Sequence, residues 1–115
     1  MSRSLLLALL ILAVTGCGQT EKILGEAPQD PHSTVSAIRA GHVPANLTLE
    51  GTMIEKCPQA GCWFRVDDGT GVIKVDTKSA GFVVTSVPLN AKVKVAGKIH
   101  QVDDDVQIEA TGLSY

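Results

Sequence analysis

This chain is expected to form an all-β domain, a five-stranded Greek-key barrel with a short N-terminal helix. From Leu47 to Thr111, apolar residues recur at every second position in five separate stretches. That is the period of a strand with one buried face. Short acidic turns, "DDGTG" at 67–71 and "QVDDD" at 101–105, join neighbouring stretches. A thirteen-residue connection, Lys78 to Asn90, separates the first three stretches from the last two. Three strands, a long connection and two further strands follow the OB-fold order, so the barrel is read as OB-fold-like.

The chain begins "MSRSLLLALLILAVTG". Arg3 precedes an apolar run from Leu5 to Val14. The run is too short for a membrane-spanning helix of about 20 residues and suits a secretory signal. Val14-Thr15-Gly16-Cys17 resembles the bacterial lipobox. Residues 1–16 are therefore expected to be cut away and Cys17 to carry lipid, palmitate among its acyl chains. Gly18, not aspartate, follows the cysteine, which by analogy with enteric bacteria points to the outer membrane. The expected location is the bacterial cell envelope, lipid-anchored and facing the periplasm, with the membrane as first partner.

Removal of residues 1–16 from the 115-residue chain leaves 99, enough for one small domain. The whole chain carries a net charge of −2, and loss of Arg3 makes it −3. That disfavours nucleic acid as a partner, since its binding usually needs a basic footprint. The implied compartment is oxidising and permits disulfides. With Cys17 given to lipid, Cys57 and Cys62 remain as an even pair.

Residues 17–32 include "QTEKILGEAPQDPH", polar, with two prolines and no sustained periodicity. They are expected to be a flexible tether to a domain spanning 33–115. "STVSAIRAG" at 33–41 is expected to form the short helix, with Ser33 as cap and Gly41 as stop.

The first strand places Leu47, Leu49, Gly51 and Met53 on one face. Phe64 and Val66 define the second, and Ile73 and Val75 the third. Val93, Val95, Gly97 and Ile99 define the fourth, and Val106, Ile108 and Ala110 the fifth. Gly51 and Gly97 sit mid-strand, where a small barrel must bend. The helix usual between the third and fourth OB-fold strands is reduced here.

"LTLEGTMIEKCPQAGCWFRVDDGTGVIKV", followed by "SAGFVV", resembles a family of small secreted bacterial OB-fold domains. Members carry a Cys-x-x-x-x-Cys-Trp hairpin and a later Gly-Phe segment, matched here by Cys57, Gly61, Cys62, Trp63 and by Gly81-Phe82. The resemblance covers roughly 35–111. It implies the fold and brings no established activity. The family places aromatics before and after that glycine, where this chain has Ala80 and Val83, so an aromatic patch there is weakened.

Strand parity, continued from Met53 and back from Phe64, puts Cys57 and Cys62 on the inward side, facing each other across Pro58–Gly61. Three chemistries fit. One is a structural disulfide, stabilising by on the order of 2 kcal/mol for so short a loop. The second is a two-thiolate site for Cu(I), which suits soft ligands, shielded by Trp63. The third is a redox switch, although the spacing is not Cys-x-x-Cys. His32, His42 and His100 read as surface histidines.

A second candidate is the outward face, where Trp63, Arg65 and Lys74 share parity. An exposed indole beside two cations suits stacking on a small ligand, or contact with an envelope protein. The alternative is a Trp packed under the helix. Lys92, Lys94 and Lys98 read as a solvated edge. Asp67-Asp68 and Asp103-Asp104-Asp105 read as turn chemistry. No catalytic pattern is present, so a non-enzymatic binding module is expected. The runner-up is a periplasmic copper or thiol-redox protein, with single-strand nucleic-acid binding a weaker third.

Overall fold

The computed structural model describes residues 21–31 and 33–115. The signal segment, Cys17 and His32 lie outside the described residues. The elements are β1 (Ile23–Gly25), α1 (Val35–Arg39), β2 (Asn46–Lys56), β3 (Trp63–Asp67), β4 (Val72–Asp76), a 3-10 turn η1 (Lys78–Ala80), β5 (Lys92–Val102) and β6 (Asp105–Ser114). The strand order is β1-β6-β4-β3-β2-β5, and a β5–β6 pairing closes the circle. The result is an all-β, five-stranded closed barrel with one added strand. β4 and β6 pair in parallel, and the other pairings are antiparallel.

The alternating apolar positions become the core. Leu49, Met53, Phe64, Val66, Ile73, Val75, Val95, Ile108 and Leu113 are fully buried. Val84 and Val87, from the long connection, join them, and so do Val35 and Ile38 from α1. Gly51 and Gly97 sit where strands approach closely. A Cβ at Gly51 would lie 2.6 Å from the Asp67 carbonyl oxygen, and one at Gly97 would strike Glu109 O and Ile108. Larger side chains at these bends would push the backbones apart.

Three expectations need correction. The supposed tether supplies β1, whose Ile23, Leu24 and Gly25 pair with Ser114, Leu113 and Gly112. Lys22 and Tyr115 exchange backbone hydrogen bonds at 2.8 and 3.0 Å, and Glu26 N–H donates to Thr111 O at 3.0 Å. A strand of three residues is too short to show a period, and its stability comes from β6. Stretch 33–41 holds one helical turn, capped by Thr34 rather than Ser33; the Thr34 side chain accepts from Ala37 N–H at 3.1 Å. β5 is not an edge, because β2 and β6 flank it.

Candidate functional site

Two candidate sites meet on the β2–β3 hairpin. Along β3, Phe64 and Val66 point inward, which leaves Trp63 and Arg65 on the outward face. On β4, Arg65 lies directly opposite Lys74, and Trp63 opposite Asp76. Two cations lie close to the Trp63 ring. The Arg65 guanidinium is 5.6 Å from its centroid and the Lys74 ammonium 5.2 Å, both within cation–π reach. Glu55, paired with Arg65 across β2 and β3, accepts from its Nε at 2.8 Å. Lys74 makes no ion pair among the described residues. The three residues expected to form the ligand face are thus brought together.

The reading of Trp63 packed under the helix does not hold. α1 is tied to the β3–β4 turn, at the other end of β3. Val35 N–H donates to Asp68 Oδ2 at 2.9 Å, Ser36 N–H to Thr70 Oγ1 at 3.1 Å, and Arg39 to Val72 O at 2.7 Å. Trp63 stays half-buried. Phe82 lies elsewhere too, against Gly25 of β1, where an added Cβ would be 2.9 Å from its ring.

The cysteine pair needs a correction of parity. β2 and β3 slip register between Met53 and Glu55, leaving Ile54 as the extra residue of a bulge. One extra residue exchanges the two faces. Lys56, not Glu55, therefore pairs with inward Phe64, and Cys57, instead of facing Cys62 in register, donates its N–H to Trp63 O at 3.0 Å. Both cysteines lie just outside the strands, where chain direction no longer follows the pleat. Their sulfurs nonetheless meet at 3.8 Å, with the Cys62 thiol donating to Cys57 Sγ. Both are half-buried free thiols. Backbone N–H groups of Ala60 and Gln59 also point at the Cys57 sulfur. They bring its pKa from the ordinary 9.0 to about 6, while burial pushes the other way.

Sequence reasoning missed Lys56. Its ammonium donates to Val84 O at 3.4 Å, Thr85 O at 3.1 Å and Val87 O. It fastens the long connection over the barrel end beside the hairpin. The bulge that turned it inward left no mark in the local pattern.

The acidic turns serve the fold. Asp68 accepts from Thr70 N–H and Oγ1 at 2.9 and 2.7 Å as well as from Val35. Burial raises its carboxyl, but these bonds outweigh it and hold the pKa below the usual value. Asp105 accepts from Val106 N–H at 2.8 Å, which lowers its pKa, and lies 3.4 Å from Arg39 Nε. Among the described residues, no cluster of three His, Cys, Asp or Glu side chains is placed to hold a metal. Any metal held at Cys57 and Cys62 would have two ligands among the described residues.

A family model described as "Bacterial OB fold (BOF) protein" matches residues 18–114. Among solved structures, a similar one is the hypothetical protein ygiW from E. coli. It is 19% identical, covers 77% of this chain and 95% of that chain, and superposes with a TM-score of 0.53. At that identity the likeness is one of fold. No curated protein matches.

Proposed function

This chain belongs to the bacterial OB fold family, and from there we propose that it is a lipid-anchored binding module of the bacterial cell envelope whose ligand rests on Trp63, Arg65 and Lys74. The observation that carries this reading is the cross-strand pair Arg65–Lys74 with the Trp63 ring beside both cations. Like charges directly opposite each other on a sheet are destabilising. Glu55 offsets Arg65 only. An anionic group set between the two cations relieves that repulsion, and the indole offers a flat apolar surface to a ring attached to the anion.

The matching ligand class is a small anionic molecule with a ring, such as an acidic sugar. β3 and β4 are the second and third strands of the barrel, on whose face OB-folds commonly bind. The net charge of −2 works against long polyanions. It leaves the local cation pair as the source of attraction, and nucleic acid remains disfavoured. The role is binding, not catalysis. Lipid at Cys17 would hold the module at the membrane, probing the periplasm.

Trp63 is the only tryptophan, so its emission reports on the face directly. Titration with uronate and sulfated sugars should give saturable quenching, and neutral counterparts should give none. Lys74→Glu should weaken binding about tenfold, the loss of one charge-assisted contact. Trp63→Ala should abolish binding measured by calorimetry. A Lys74→Glu protein that binds anionic and neutral sugars as the wild type does would overturn the reading.

A further inference from the structure

The hairpin that presents Trp63 also carries a chemistry that the ligand face does not use. Cys57 and Cys62 close a four-residue loop held by backbone bonds at both ends. Cys57 N–H is bound to Trp63 O, and Cys62 O accepts from Thr77 N–H at 2.9 Å. Gly61 turns the loop with φ of 61°, and its carbonyl accepts from Val84 N–H at 2.9 Å. A Cβ at Gly61 would lie 2.8 Å from Thr85, so the turn is fitted closely to the long connection. The two sulfurs are thus held 3.8 Å apart. Small side-chain rotations suffice to reach the S–S bond length of about 2.05 Å.

The pair is not symmetric. Cys57 sulfur receives the N–H groups of Ala60 and Gln59 and the thiol of Cys62. Negative charge is stabilised there, and the Cys62 thiol donates toward it. Thiolates at sites of convergent donors, partly open to solvent, are the reactive ones.

We infer that Cys57 and Cys62 form a thiol–disulfide exchange pair, with Cys57 attacking and Cys62 resolving, whose substrate is an exposed disulfide of a small molecule or protein. The Cys57 thiolate attacks one sulfur of that disulfide. The external S–S bond breaks, one thiolate departs, and Cys57 is joined to the other half. Cys62 loses its proton to the departed thiolate or to solvent and attacks Cys57 Sγ. The mixed S–S bond breaks, the second thiolate leaves, and a Cys57–Cys62 disulfide remains. Two thiols of this chain are oxidised and one external disulfide is reduced.

The test uses reduced chain lacking residues 1–17 but retaining β1, with oxidised glutathione as probe and mass spectrometry as readout. Wild type should become lighter by two hydrogens without a lasting adduct. Cys62→Ser should stop at one glutathionyl group on Cys57. Cys57→Ser should acquire its adduct on Cys62 on the order of tenfold more slowly, because the N–H groups of Ala60 and Gln59 converge on the sulfur that this variant lacks. Unchanged Trp63 emission would show that each variant is folded. Equal rates for the two serine variants, or a persistent adduct on wild type, would overturn the assignment. So would a reduced pair that resists glutathione disulfide but takes up one Cu(I), which would make the pair a two-thiolate metal site.

Discussion

Lys56 pairs with Phe64 across β2 and β3, so a lysine shares the inward register of the largest buried side chain. Its charged end passes beyond the core and meets three carbonyls of the long connection, those of Val84, Thr85 and Val87. Val84 and Val87 are themselves fully buried. One side chain therefore fixes the segment that closes one end of the barrel.

Lys56→Met keeps the aliphatic stem and removes the donors. The carbonyls lose a charged partner, and a loss of about 1–3 kcal/mol is expected. Urea unfolding followed by Trp63 emission measures it. A change within experimental error would show that water replaces the ammonium without cost.

Gly97→Ala places a methyl group against Glu109 O and Ile108 at the β5 bend, where β5 and β6 slip register. Overpacking of this kind costs about 1–3 kcal/mol. Gly41→Ala is a useful control. Nothing lies near its Cβ position, although its φ of 80° still favours glycine. The expected order in thermal unfolding is wild type, Gly41→Ala, then Gly97→Ala as the least stable.

Asp68 links the β3–β4 turn to the first N–H of α1. Its pKa is lowered on folding. The stability it contributes is therefore complete above the ordinary value of 3.8 and is lost as pH falls through the lower folded value. Asp68→Asn should be less stable than wild type at pH 7, by about 1 kcal/mol. The gap should narrow as wild type is acidified below about pH 4. A gap independent of pH would exclude the carboxylate as its cause.

Cys57 should be alkylated far faster than an ordinary thiol at neutral pH. Its rate with iodoacetamide, read at that residue by mass spectrometry, should reach half its maximum at about pH 6. A midpoint near the ordinary 9.0 would mean that the Ala60 and Gln59 N–H groups do not reach the sulfur in solution.

Cys17→Ala should abolish acylation and release the protein from the membrane fraction in a bacterial host. Retention of the variant in that fraction would remove the lipid anchor from the proposed function. The Trp63 face would then have to act in another setting.

The amino-acid sequence by itself determined the five barrel strands, their two tight hairpins and the long connection. Period-two burial is a local property: each residue of Leu47, Leu49 and Met53 faces the core whatever its partner strand. It also determined that Trp63, Arg65 and Lys74 share a face, because β3 and β4 pair in regular register across a short turn. The tertiary structure decided the rest. β1 exists because Ile23–Gly25 finds the end of β6, a partner far along the chain. The bulge at Ile54 arises between two paired strands and is absent from the alternation of either one. That single unpaired residue turned Lys56 inward and moved Cys57 into register with Trp63. The sulfurs still meet, because both cysteines lie just outside the ends of β2 and β3, where loop geometry and the Gly61 turn set direction. Strand parity carries information only as far as the pairing that enforces it.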